Sequence, residues 1–137
     1  MKRNFRLWAT YFFWLFQYTN LKILSKIQKK ATDQDIKRSL ELVGLANVGK
    51  TKVKEFSLGM KQKLAIAQAI FEKPKLLLLD EPTNALDEKS VENIRKLLIE
   101  IKKTGTTIVI ASHNKDDINM LSDIVLKMDE GVLTEQG

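Results

Sequence analysis

The chain has 137 residues, is 44% hydrophobic, lacks cysteine and carries a formal net charge of +6. That length suits one domain with its own core, and the missing thiols exclude disulfides and thiolate metal sites, as a reducing compartment would allow. Much of the charge sits on lysines spread over helical sequence (Lys22, Lys26, Lys29, Lys30), which reads best as solvated helix faces, contact with anionic lipid or nucleic acid having no further support in the sequence.

Met1 to Arg6 is basic, and Leu7 to Phe16 is almost wholly apolar and aromatic. So short a run cannot span a bilayer, and no small-residue cleavage site follows it. An interfacial anchor, a diverged core segment and residues read from a shifted or internal start are the three readings of this segment. Helices are expected over about 20–30 and 33–43. Thr32-Asp33-Gln34-Asp35 is a capping box, and Ile36, Leu40 and Val43 recur at helical spacing. Gly44 falls where a C-cap glycine belongs. Gly44 to Thr51 also matches the phosphate-loop pattern Gly-x-x-x-x-Gly-Lys-Thr letter for letter. That loop functions only between a strand and a helix that starts at its lysine. Here a helix precedes it and five residues separate Thr51 from Ser57, so the match is read as coincidental.

Ser57 is a good N-cap for a helix over 58–72, and Gly59 lets backbone approach a ligand closely. The free amides and positive dipole end of such a helix suit a phosphate; a plain capped helix is the other reading. Leu76 to Leu79, four leucines without polar alternation, suits a strand buried on both faces of a parallel sheet. It delivers Asp80 and Glu81 to its carboxyl end, where ligands bind in such sheets, and Pro82 stops it. One carboxylate there suits Mg²⁺ shared with phosphate oxygens and water. Its neighbour suits orientation or deprotonation of an attacking water.

Asp87 N-caps a helix over 88–103 whose Val91, Ile94, Leu97, Leu98 and Ile101 form one apolar face. Lys102 and Lys103 suit its last turn and Gly105 its exit. The β-branched run Thr106 to Ile110 predicts a strand over 106–111, placing His113, the single histidine, beside Asp80 and Glu81. A short helix over about 115–121 follows, then a strand pair near 123–134 turning at Asp129-Glu130-Gly131. Right-handed crossovers would order the strands in a parallel sheet.

Four of these segments, in this order, resemble the motifs of ABC transporter ATPases. Phe56 to Met60 resembles the signature motif, in the form Ser-Leu-Gly-Met-Lys-Gln, and Leu76 to Glu81 the Walker B strand, with Glu81 in place of the catalytic glutamate. Asn84 to Asp87 resembles the D-loop, and Ala111 to Asn114 the switch-histidine loop. Order and spacing agree from about Asn20 to the C-terminus. The signature variant is similar to that of bacterial exporters of bacitracin- and lantibiotic-type peptides.

The resemblance implies an α/β fold: a partial P-loop NTPase (ABC ATPase) domain with a helical subdomain and an incomplete parallel sheet. Its parts would be 1–19, outside the resemblance; 20–72, the helical subdomain ending in the signature helix; and 73–137, the second half of the nucleotide-binding core. It further implies ATP and Mg²⁺, with Asp80 at the metal, Glu81 and His113 catalytic, and Ser57, Gly59 and Asp87 binding nucleotide. Ser57 and Gly59 would act in trans, on the γ-phosphate held by a second ATPase subunit, identical or different. A transmembrane permease would be the other partner, with this chain cytoplasmic and peripheral at the inner face of the cell membrane, and no nucleic acid involved.

The family's Walker A loop, Q-loop glutamine and adenine-stacking aromatic find no match. Charge underlines this: residues 1–63 hold 14 Lys and Arg against 4 Asp and Glu, and residues 64–137 hold 9 against 13. The acidic half owns the carboxylates and lacks the lysine that normally offsets the phosphates. Because similarity starts abruptly near Asn20, residues 1–19 are read as translated from a shifted or internal start. Two function classes follow: a truncated ATPase subunit energising export of a drug or peptide, or a non-catalytic half supplying only its signature face to a complete ATPase. A GTPase-like switch using Gly44 to Thr51 is a distant third. A sheet lacking its first half is expected to expose an apolar edge and to leave the chain marginally stable without a partner.

Overall fold

The computed structural model describes residues 32–48 and 51–136. The described residues open with helix α1 (Asp33–Leu42). Thr32 caps it through a reciprocal pair, its Oγ1 accepting from the Asp35 amide at 3.2 Å and its own amide donating to Asp35 Oδ2 at 3.0 Å. The exit is a Schellman turn: the Leu45 amide donates to Leu40 O at 2.8 Å and the Gly44 amide to Glu41 O at 3.0 Å. Gly44 supplies the required left-handed backbone, φ 75°. The phosphate-loop look-alike therefore starts at a helix exit and leads into a single 3-10 turn, Val53–Glu55. Its Gly49 and Lys50 lie outside the described residues, as do the segment 1–19 and the helix expected over 20–30.

Helix α2 (Leu58–Ile70) is capped by Ser57, whose Oγ accepts the Met60 amide at 3.2 Å. Strand β1 (Leu76–Asp80) follows, then helix α3 (Glu88–Lys103), strand β2 (Thr107–Ala111) and helix α4 (Lys115–Leu121). Asp87 caps α3 by accepting the Ser90 amide at 3.0 Å. Strands β3 (Val125–Asp129) and β4 (Val132–Gln136) form an antiparallel hairpin closed by Glu130 and Gly131.

β1 and β2 run parallel in register from Leu76 against Thr107 to Asp80 against Ala111. This shared register puts both carboxyl ends at one level, with Glu81 following one strand and Ser112 the other. One core joins the pair to the helices: Ile36 and Leu40 of α1, Ile66 and Ala67 of α2, Leu77 of β1, and Ile94 and Leu98 of α3.

Two expectations are corrected. The leucine strand is buried on one face only: Leu77 is 3% exposed, whereas Leu76 and Leu78 are 54% and 67% exposed and Val109 of β2 is 53% exposed. A run of leucines carries no alternation, so the pattern could not show that only one face is covered by helices. What lies open is thus an apolar sheet face, not merely an edge. Second, the C-terminal strands do not extend the parallel sheet; among the described residues they pair with each other alone.

Candidate active site

The carboxyl ends of β1 and β2 bring together Asp80, Glu81, Ser112 and His113. The Glu81 amide continues the ladder, donating to Ala111 O at 2.8 Å. Immediately afterwards the chain turns through a left-handed residue, Glu81 itself, with φ 46°. A non-glycine residue rarely adopts this backbone, and such strain gathers at functional sites.

The Glu81 carboxylate folds back onto the neighbouring loop. Its Oε1 accepts the His113 amide at 3.0 Å and lies 2.6 Å from His113 Nδ1. Ser112 Oγ donates to Oε2 at 3.4 Å. The His113 contact, chiefly through its ring, holds the Glu81 carboxyl below its ordinary range, with Ser112 adding to the effect. A carboxylate acceptor at Nδ1 places the ring proton there, which leaves Nε2 for a ligand. The ring is 84% exposed, so it can be met by one. Asp80 is exposed and accepts no hydrogen bond among the described residues.

A depressed carboxyl means that the folded chain binds the Glu81 proton less readily than the unfolded chain. Its stabilising contribution is therefore complete above the ordinary glutamate value of 4.5 and is lost as pH falls through the lower folded value. We expect the urea midpoint to fall with acidification in that window, and the Glu81→Gln variant to show a shallower fall. Parallel slopes for the two proteins would contradict this.

Ser57, Gly59 and Asp87 form a second group. The start of α2 packs against the turn before α3, and together they line a cleft of about 440 Å³ that includes Lys63 and Ala85. Gly59 permits this closeness, since a Cβ on it would lie 2.7 Å from the main-chain oxygen of Ala85. Two hydrogen bonds from Ser90, with Lys63 nearby, keep the Asp87 carboxyl below its usual range. Gly59→Ala must displace backbone rather than a flexible side chain. We expect a loss of about 1–3 kcal/mol of stability, the range for overpacked sites. Thermal unfolding checks it, with Leu58→Ala as the control because Leu58 is 71% exposed.

The expected site residues thus fall into two clusters, Asp80 with Glu81 and His113, and Ser57 with Gly59 and Asp87. Sequence reasoning missed their supports. Ser112 and Gln62 both reach Glu81, Gln62 by donating Nε2 to the main-chain oxygen of Glu81 at 3.1 Å. Asp117, buried at 1% exposure, ties the turn after β1 to α3 and α4. It accepts Thr83 Oγ1 at 2.6 Å and Arg95 Nε at 2.7 Å. No spacing rule joins residues so far apart in the chain. Only Asn114 offered a signal, as an N-cap residue before α4.

A family model described as "ABC transporter" matches residues 2–84. That match takes in residues 2–19, which the four motifs alone leave outside the resemblance. Among curated proteins, the chain is 60% identical over 116 residues to an uncharacterised ABC transporter ATP-binding protein, YybJ, of Bacillus subtilis (strain 168), covering 85% of this chain and 53% of that protein. It is 41% identical over 120 residues to the bacitracin transport ATP-binding protein BcrA of Enterococcus faecalis, covering 87% and 39%. It is 40% identical over 114 residues to the lantibiotic transport ATP-binding protein SrtF of Streptococcus pyogenes, covering 83% and 49%. The chain therefore spans about half the length of these relatives, or less. A solved dimeric ATP-binding cassette, in a post-hydrolysis state with ADP and Pi, superposes with a TM-score of 0.79 at 23% identity, over 89% of this chain and 56% of that one. An ABC transporter solved in an inward-facing conformation gives 0.74 at 23%, over 90% and 53%. At that identity these two matches establish the fold, an ABC ATPase-like α/β arrangement.

Proposed function

The chain belongs to the ABC transporter family, and from that premise we propose that it is an ATP-binding and ATP-hydrolysing subunit powering export of a drug or peptide. The observation that carries this reading is the Glu81–His113 contact of 2.6 Å at the carboxyl ends of two parallel strands, directly after Asp80. The names of the bacitracin and lantibiotic relatives support a peptide antibiotic as cargo.

Asp80 fits Mg²⁺. It is an exposed carboxylate at a strand end with no competing donor among the described residues. Among the described residues no three acidic or histidine side chains are arranged to hold a metal ion by themselves, so an ion at Asp80 would need phosphate oxygens and water to complete its shell. When bound, the metal would neutralise charge on the phosphates.

Glu81 orients the attacking water. While His113 and Ser112 hold its carboxylate it is a weak base, so it aligns water more than it takes a proton. Release of the His113 ring toward a γ-phosphate would remove the main cause of that depression and raise the basicity of Glu81. His113 would then steady the phosphate through its ring. Ser57 and Gly59, with the free amides at the start of α2, would close on a nucleotide held by a second ATPase subunit. No helix among the described residues is long and apolar enough to cross a membrane; in this reading a transmembrane permease partner supplies the transport path, with this chain at the inner face of the membrane.

Phosphate release from MgATP tests the reading. A mixture of this chain with a complete ABC ATPase subunit should turn over faster than that subunit alone. ATP-dependent association without added turnover would instead assign the chain a non-catalytic role. Neither association nor turnover would overturn both.

A further inference from the structure

Helix α2 touches the turn that carries Glu81 at two points. Gln62 Nε2 donates to the main-chain oxygen of Glu81 at 3.1 Å, across 19 residues of sequence. One turn earlier, Gly59 lies against the main-chain oxygen of Ala85, so close that a Cβ would come within 2.7 Å of it. These two contacts fall on the two left-handed non-glycine residues of that turn, Glu81 at φ 46° and Ala85 at φ 62°. Each such residue costs about 1–2 kcal/mol against an ordinary conformation, so each needs an external restraint to persist. The other main-chain restraints on Glu81 are local to the strand end and turn: its amide donates to Ala111 O, and its oxygen accepts the Asn84 amide. Among the described residues, the Gln62 hydrogen bond is what ties the Glu81 main chain to the helix that Ser57 caps.

We propose that Gln62 is a positioning residue. Its amide fixes the main chain of Glu81 and so fixes the direction in which the carboxylate leaves the turn to meet His113 and Ser112. The start of α2 and the Glu81 carboxylate are then one mechanical unit, joined through a side chain about one and a half helical turns from the cap. The catalytic meaning of this unit rests on the ATPase reading above; the contact itself does not.

His113 is the single histidine of the chain, so its ring signals report the Glu81 contact without overlap. They are recorded by NMR on the full chain, without nucleotide, at one fixed neutral pH, with Glu81→Ala marking the position of a ring freed from the carboxylate. Gln62→Met keeps the shape and removes the donor; Gln62→Glu keeps the shape and turns an acceptor toward the oxygen. Both should move the ring signals more than half-way to the Glu81→Ala position. Gln62→Lys, which keeps a donor of similar reach, should stay near wild type.

Wild-type signals in Gln62→Met would overturn the proposal. So would equal displacement in all three variants, or loss of α2 amide signals in Gln62→Met and Gln62→Glu, since each assigns Gln62 to packing. Because no nucleotide is present, failure of the ATPase reading leaves this result unchanged. Conversely, ring signals that behave as proposed, in a chain that adds no phosphate release to a complete ATPase subunit, would sink that reading alone.

Discussion

Replacing Asp117 with alanine is expected to cost about 3–5 kcal/mol, the range for removing one partner of a buried ion pair. Asp117 is 1% exposed, and the Arg95 side chain facing it is only 12% exposed at a distance of 2.7 Å. Truncation would strand a guanidinium in the interior and leave the Thr83 hydroxyl without its acceptor at 2.6 Å. For a domain whose whole stability is about 5–15 kcal/mol, that loss would bring the chain close to unfolding. The damage would not stay local, because Thr83 belongs to the turn after Glu81 and Asp117 to the first turn of α4, just beyond His113. Urea unfolding followed by circular dichroism measures the effect. The double variant Arg95→Met with Asp117→Leu should lose distinctly less than Asp117→Ala, since it leaves no charge unpaired. A loss below about 1 kcal/mol for Asp117→Ala, the size of an exposed pair, would contradict the buried description.

On the ATPase reading, Glu81→Gln is expected to remove the phosphate release that the chain adds to a complete ABC ATPase subunit, leaving the rate of that subunit alone, because a positioned base that His113 has released contributes about 10²- to 10⁴-fold at its own site. The amide keeps the size of the side chain and an oxygen that accepts from His113, but it cannot take a proton. Nucleotide-dependent association should therefore survive while turnover falls. A matching measurement on His113→Ala separates the two roles: it removes the ring that would steady the phosphate and frees the carboxylate of its main depressing contact. Turnover should fall there too, with Glu81 moved back toward ordinary carboxyl behaviour. Wild-type turnover in Glu81→Gln would show that another group activates the water.

Local chemistry made most of the fold legible. Thr32 with Asp35, Ser57 and Asp87 each announced a helix start, and Gly44 and Gly105 each announced an exit. These are interactions within three or four residues, so the sequence window contains both partners. The ends of β1 and β2 were legible for the same reason, because apolar runs stopped at Asp80 and near His113. The covering of the sheet was not. Leu76, Leu77, Leu78 and Leu79 are the same residue type, and only the tertiary structure decides that Leu77 is buried and Leu78 exposed.

The site divides the same way. Glu81 and His113 stood in recognisable motifs, yet their contact spans 32 residues. The supports were invisible, since Gln62, Arg95 and Thr83 are ordinary residues whose roles arise from partners 19 to 34 positions away. Glu81 itself was expected as a strand-end carboxylate, but not as a left-handed residue. A leucine strand followed by Asp-Glu-Pro says nothing about where the turn stores its strain.

The central claim is that the Ser57–Gly59 surface and the Glu81–His113 pair serve triphosphate sites completed across two subunits. Light scattering on this chain mixed with a complete ABC ATPase subunit tests it most directly, with Glu81→Gln in this chain and the matching glutamate-to-glutamine change in the complete subunit holding the assembly before hydrolysis. MgATP should raise the mass to that of the mixed dimer, while MgADP should not, and Gly59→Ala should abolish the gain. A mass unaffected by MgATP, or a dimer that forms equally well with MgADP, would contradict the claim.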